Sequence, residues 1–329
     1  MTREWGPDTV LPGFEATTLP LGSADDGPLV ATLVRLRSEQ PVRRAVLYVH
    51  GYLDYFFQSH VAEALVEFGW NFYALDLRRY GRSLRPGHRP NYCTSIADYD
   101  AEISAAIGIV RDEETHDTLV LMGHSTGGLT VPLYAHRGAA RNRIDGIVLN
   151  SPFFRFFVPN ARKMMLPVAG TVGAVFPWGA DPTGISPYYG ESLLQAHHGE
   201  WTYDTRWKPL RGFPVFFGWV RAVRAAQKIV ARGLSLSCPV LLLHASASMM
   251  PGKHWSDEYL AHDIVLDVDD MRRIGPGLGR DVTMREISGG VHDLFLSREP
   301  ARSKAVGATL AWLDARFPAH RDMTSTRTS

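Results

Sequence analysis

"LVLMGHSTGGLTVPLY", residues 119 to 134, decides the fold. It opens as an apolar run suited to a buried strand. It then crowds Gly123, His124, Ser125, Thr126, Gly127 and Gly128 together and resumes in apolar residues compatible with a helix. A serine hydroxyl is a poor nucleophile until a neighbouring base takes its proton. It must also protrude before a carbonyl can reach it. A tight strand-to-helix turn achieves this but crowds the backbone, and small residues two before and two after the serine relieve the crowding. Gly123 and Gly127 hold those places. G-x-S-x-G alone is a weak signal in a chain with 30 glycines. The strand pattern before it and the helix pattern after it give it weight. Pro132, inside the helix pattern, removes one backbone N–H and reads as a local irregularity.

Outward from this turn, short apolar runs alternate with helix-period stretches. The runs are "AVLYVHG" (45–51), "NFYALDL" (71–77), "TLVLMGH" (118–124), "DGIVLNSP" (145–152), "PVLLLHA" (239–245) and "VTMREIS" (282–288). Between them lie patterns such as "SHVAEALVEFG" (59–69) and "SIADYDAEISAAIGIVRDE" (95–113). Strand, helix, strand in succession predicts an α/β fold with a parallel sheet and helices on both faces. Two further strands, near 13–19 and 29–37, have no helix between them and predict an antiparallel edge. The last helix, 301–317, is amphipathic, and a polar tail follows.

One block breaks the rhythm. Residues 151–220 hold 15 aromatics in 70 positions, about 21% against 11% for the whole chain. The block lies between two sheet strands, so it reads as an insertion. It is either additional core or a cap lining a site with apolar rings, and its place directly after a strand favours the cap. The expected division is a first core part at 1–151, a cap at 152–236, a second core part at 237–318 and a flexible tail at 319–329.

Composition narrows the function classes. The chain has 329 residues, 45% hydrophobic and 21% charged, with a net charge of +1. No overall field draws it to nucleic acid, and no apolar run approaches the roughly 20 residues needed to span a bilayer. Cys93 and Cys238 lie far apart, which argues against a disulfide framework. The opening "MTREWGPDTVLPG" lacks a secretory h-region. Both points predict a cytoplasmic location. The 13 histidines show no metal-ligand spacing, so neither metal nor cofactor is expected.

A serine nucleophile needs a histidine base and a carboxylate to orient it, in the chain order serine, acid, histidine. "SGGVHDLFLS" (288–297) places His292 on a glycine-rich loop after the last strand pattern. The acid belongs on the long loop "SASMMPGKHWSDEYLAHDIVLDVDDMRR" (246–273), which offers Asp257, Glu258, Asp263, Asp267, Asp269 and Asp270. Asp267 precedes a helical pattern and suits an N-cap. Asp263 has no such local use and ranks first, with Asp267 second and Asp257 third. In "YVHGYLDYF" (48–56), His50-Gly51 lets the backbone bend toward the serine. The N–H groups of Tyr52 and Thr126 are the expected oxyanion donors. His50, Gly51, His124, Phe153, Phe154 and Trp255 are candidate substrate contacts. Arg155, Arg162 and Lys163 could meet a carboxylate on a monoester substrate.

These stretches resemble the α/β-hydrolases of the serine aminopeptidase S33 type, the branch with monoacylglycerol lipases and lysophospholipases. The resemblance is carried by "VHGY" (49–52), "ALDLRRYGRSLRP" (74–86), "GHSTGG" (123–128), "HDIVLD" (262–267) and "GGVHD" (289–293). "HDIVLD" is similar to the family's Asp-x-Val-Val-Asp, whose first aspartate is the acid; that implies Asp263. Ala245 and Arg79 depart from the pattern, each standing where a glycine is usual. The resemblance implies hydrolysis of a small-molecule ester through an acyl-enzyme on Ser125, without a cofactor. Cofactor-free perhydrolysis, C–C bond cleavage and a binding protein with a silent triad are the alternatives.

Overall fold

The structure is a computed structural model that describes residues 3–181 and 185–318. The expected tail 319–329 lies outside the described residues. The apolar runs form strands β1 (Gly6–Pro7), β2 (Glu15–Ala24), β3 (Gly27–Leu36), β4 (Arg44–Val49), β5 (Asn71–Asp76), β6 (Thr118–His124) and β7 (Gly146–Asn150). The later ones are β8 (Ala180–Asp181), β9 (Val215–Phe216), β10 (Val240–Ala245) and β11 (Val282–Ile287). Nine of them make one sheet in the order β1-β2-β3-β5-β4-β6-β7-β10-β11, and β8 and β9 pair separately. From β5 through β11 the large sheet is parallel, while β1, β2 and β3 form the antiparallel edge. The central strands β4, β6 and β10 are buried on both faces, which explains their continuous rather than alternating apolar pattern.

Helices cover both faces. α1 (Ser59–Glu67) and α8 (Ala301–Arg316) close one side with Val61, Leu65, Ala305 and Trp312. α2 (Asp100–Gly108) and α3 (Gly127–Arg137) cover the other with Ile103, Ile107, Leu129 and Leu133. Between β7 and β10 the insertion adds α4 (Asn160–Val175), α5 (Tyr188–Leu193) and α6 (Phe217–Val230), and α7 (Val268–Ile274) follows β10. α6 falls within the range expected for the cap, yet Val223 and Val230 pack into the main core cluster. α4 differs. Of the ten exposed large hydrophobics among the described residues, eight lie between Met164 and Ile185.

Register brings the functional loops to one edge. Val49 of β4 stands beside Gly123 of β6, His124 beside Asn150 of β7, Leu243 of β10 beside Asn150, and Ala245 beside Ile287 of β11. Hence the turns after these five strands emerge together, at the carboxyl edge where open α/β sheets hold ligands. Arg79, in place of a glycine, adopts the left-handed region at φ 67°, which costs a non-glycine residue about 1–2 kcal/mol. Its guanidinium grips the buried Asp26 at 2.5 and 2.9 Å, fixing the loop after β5 to the β2–β3 hairpin.

Candidate active site

Ser125 sits in the turn between β6 and α3 with φ 54°, the left-handed region. Such backbone strain persists only where the surroundings hold it. Here the Ser125 N–H donates to Asn150 O at 3.0 Å and the Ser125 carbonyl accepts from Phe153 N at 2.9 Å. The crowding expected of the motif has a measurable form. A Cβ on Gly123 would lie 2.5 Å from Gly127 O, and one on Gly127 would lie 2.2 Å from Val49 O. Gly51, across from the turn, would put a Cβ 2.9 Å from the Ser125 Cβ. Only glycine allows β4, β6 and α3 to approach this closely.

His292 follows β11, with 2% of its surface exposed. Its Nδ1 lies 2.9 Å from Asp263 Oδ2. A carboxylate only accepts, so Nδ1 carries a proton, and in the neutral ring Nε2 is then the nitrogen with the lone pair. Asp263 is fully buried, and its other oxygen accepts from the Val265 and Leu266 N–H groups, each at 2.8 Å. The rival acids are engaged elsewhere. Asp267 caps α7 through the Asp269 N–H at 3.0 Å, and Asp257 accepts from Trp255 Nε1 at 2.9 Å. Of these three candidates, Asp263 is the one that meets the imidazole.

Tyr52 follows Gly51, and Thr126 is the residue just before α3. Among the described residues neither backbone N–H has a hydrogen-bond acceptor, which is the condition for an oxyanion donor. The remaining candidates divide. His124 and Phe153 line the cavity beside Ser125, whereas His50, Gly51, Phe154 and Trp255 do not. His50 Nδ1–H donates to Gly51 O at 2.7 Å and Nε2 accepts from the Leu77 N–H at 3.0 Å. Burial holds its pKa below the ordinary value, so the ring is a neutral strut. Phe154 is 1% exposed within the core. Trp255 stacks on His198 at 3.7 Å, away from the cavity wall. Arg155 is drawn toward Asp270 at 3.6 Å, while Arg162 stands on the wall.

The sequence reading missed a buried polar cluster. Asp293, next to His292, accepts from Asn150 Nδ2 at 2.7 Å, Gln58 Nε2 at 2.9 Å and Phe295 N at 3.1 Å. It thereby ties the His292 loop to the end of β7. His124 Nδ1 lies 3.4 Å from Asp54 Oδ2 and 3.9 Å from Asp293 Oδ2. Burial disfavours the imidazolium, but the two carboxylates outweigh it and hold the His124 pKa above its ordinary value. Lys208, from the insertion, bonds Asp54 Oδ1 at 2.7 Å. Burial disfavours the Asp54 carboxylate, yet Lys208 and His124 keep its pKa well below the usual range. Asp54, His124 and Asp293 could together offer a metal three ligand atoms, and the Lys208 ammonium already partners the other Asp54 oxygen. "HGYLDYF" and "TRWKPL" contain Asp54 and Lys208, but nothing local pairs them.

Ser125 and His292 open onto one cavity of about 770 Å³. Its wall is mostly apolar, with Phe156, Leu166, Val172, Trp219 and Ile264 among the lining side chains. Its polar part includes Tyr189, Tyr203 and Lys208, together with Arg162, Asp181 and Ser186.

A serine on a strand–turn–helix elbow, at the carboxyl edge of a mostly parallel sheet and under an insertion after β7, defines an α/β-hydrolase. Within that class the chain belongs to the serine aminopeptidase S33 family, whose model matches residues 40–299. It is 24% identical over 255 residues to a monoacylglycerol lipase of Mycolicibacterium smegmatis, covering 73% of this chain and 82% of that protein. The fold is similar to that of a monoacylglycerol lipase from Paleococcus ferrophilus, with TM-score 0.65, 24% identity and coverage of 86% and 99% of the two chains. It is also similar to a thermostable carboxyl esterase from Bacillus coagulans, with TM-score 0.68, 15% identity and coverage of 91% and 98%.

Proposed function

We propose that the protein is a serine hydrolase that cleaves carboxylic esters of small to medium amphipathic substrates through an acyl-enzyme on Ser125. The observation that carries this is the His292–Asp263 pair opening onto the same cavity as Ser125. Names of the relatives, monoacylglycerol lipase above all, support an ester as the substrate.

In the reaction, His292 Nε2 takes the Ser125 proton as Oγ attacks the ester carbonyl. Asp263 holds the ring in the tautomer this requires and stabilises the imidazolium that forms. The N–H groups of Tyr52 and Thr126 receive the developing oxyanion; one such donor is worth about 3–4 kcal/mol of barrier. His292 returns the proton to the leaving alcohol, and a water activated by the same imidazole releases the acid. The mostly apolar wall suits an acyl chain. Met165 and Val168 are on that wall and are also exposed at the surface, which offers an amphipathic ester an entry. The test is a series of p-nitrophenyl esters of increasing acyl length, followed by rapid mixing and intact mass. The expected result is a burst of nitrophenol with an acyl adduct on Ser125. No hydrolysis and no adduct by a folded protein would overturn the proposal.

A further inference from the structure

The nucleophile and its base follow strands that are not neighbours. Ser125 comes after β6 and His292 after β11, and β7 and β10 lie between them. β11 closes the sheet, so it is paired on one side only, by β10. The loop after it begins Ser288-Gly289-Gly290. Two glycines are a pliant support for an atom that must be held to a fraction of an ångström. Asp263 orients the His292 ring, but Asp263 itself stands on a loop, the one after β10.

Asn150 bridges the gap. It is the last residue of β7 and is fully buried. Its backbone carbonyl accepts the Ser125 N–H at 3.0 Å. Its side chain meets the two residues that follow His292. Nδ2 donates to Asp293 Oδ1 at 2.7 Å, and Oδ1 accepts from the Leu294 N–H at 3.3 Å. The next residue, Ser151, donates its N–H to Leu243 O at 2.9 Å and so pins the end of β7 to β10. One residue thus holds the nucleophile through its backbone and the base's loop through its side chain. An amide suits that place, because it gives one hydrogen bond to a carboxylate and accepts one from a backbone N–H. An aspartate of the same shape would set two carboxylates face to face. An aliphatic residue would leave the buried Asp293 oxygen and the Leu294 N–H each one partner short.

We propose that Asn150 is a positioning residue, which aligns His292 with Ser125 by holding the loop of one and the turn of the other. This rests on the serine-hydrolase function proposed above. Asn150 does not line the cavity, so it acts through its two partners rather than on the substrate. Replacing it removes the side-chain half of the bridge and leaves the carbonyl that holds Ser125. The bond between Asp263 and His292 also stays, so the base keeps its tautomer. What is lost is alignment, and a misplacement of about 1 Å costs about 10²-fold in rate.

The test measures kcat, KM and melting temperature with a short-chain p-nitrophenyl ester. Asn150→Ala should lower kcat about 30- to 100-fold and leave KM within about twofold, the pattern of an interaction expressed in the transition state. Val148→Ala, at a buried site on the same strand, controls for stability. It should lower the melting temperature and leave kcat within about threefold. Asn150→Asp should be at least as slow as Asn150→Ala. Adding Asp293→Asn to it restores one amide facing one carboxylate and should recover kcat about tenfold or more. If Asn150→Ala does not fold, this swap decides. Three results would each overturn the assignment and leave ester hydrolysis standing: a folded Asn150→Ala within about threefold of the wild-type kcat, a Val148→Ala that loses as much kcat as Asn150→Ala, or a swap no faster than Asn150→Asp. A wild type that does not hydrolyse the ester would overturn both proposals.

Discussion

The turn at Ser125 and the helix α4 line one cavity under contrary constraints. At the turn a Cβ on Gly127 would lie 2.2 Å from the Val49 carbonyl oxygen; on α4 a Cβ on Gly170 would come no nearer than 3.8 Å to its neighbours, although Gly173, on the side of α4 that meets α6, is packed at 2.3 Å against the Phe217 carbonyl oxygen. Every residue of β6 from Leu119 to Met122 is fully buried, whereas Met164 is 78% and Val175 84% exposed. A reacting oxygen must be held to a fraction of an ångström, so the turn is packed against three elements. The outer face of α4 keeps apolar side chains in water, and on the proposed function it would admit amphipathic esters without needing such precision. On the proposed function, chemistry and access are therefore divided between a tightly packed turn and the exposed apolar face of α4.

The largest effect should come from the tight side. Asp263→Asn keeps the shape of the acid but removes its charge, and kcat should fall about 10³- to 10⁴-fold. Val175→Ser, on the exposed side, should leave hydrolysis of a short-chain soluble ester unchanged. If the two variants differ by less than tenfold, the division of labour fails. Next in size is the pair of glycines. Gly127→Ala should cost about 3 kcal/mol or more of stability in urea unfolding, because backbone rather than a mobile side chain blocks the new methyl. Gly170→Ala should be neutral or slightly stabilising, as usual for an open helical position. Smaller still is a contrast within the insertion. Lys208→Ala strands the buried Asp54 carboxylate and should destabilise by about 3 kcal/mol. Arg206→Ala removes the exposed partner of Asp204 and should leave the melting temperature unchanged.

The same division explains what the sequence could tell. The strained turn that carries Ser125, the loop after the last strand that carries His292, and the alternation of strands and helices were legible because they obey local rules, such as small residues beside a tight turn. Asp263 could be separated from Asp267 because a helix cap has its own local signature, and Asp267 indeed caps α7. The antiparallel edge was visible in two strands joined without a helix, although β2 and β3 run longer than expected. The aromatic block was harder to read. Phe153 and Trp219 line the cavity, as a cap would, but Trp207 lies off the cavity and packs edge-on to Tyr55 as additional core. An aromatic ring serves either purpose, and only the tertiary fold chooses. His50 is held by hydrogen bonds at both ring nitrogens, Phe154 lies in the core and Trp255 stacks on His198, arrangements that no local pattern announces. The ion pair of Lys208 with Asp54 spans 154 positions, a separation that no motif encodes.

The central claim is that Ser125 is a nucleophile activated by His292 and Asp263. A fluorophosphonate probe tests it most directly, applied to the wild type, Ser125→Ala and Asp263→Asn, with the labelled peptide identified by mass. The predicted result is stoichiometric labelling of Ser125 in the wild type, slower labelling in Asp263→Asn and none in Ser125→Ala. Labelling of a folded Ser125→Ala at the wild-type rate, or a folded wild type that stays unlabelled, would contradict it.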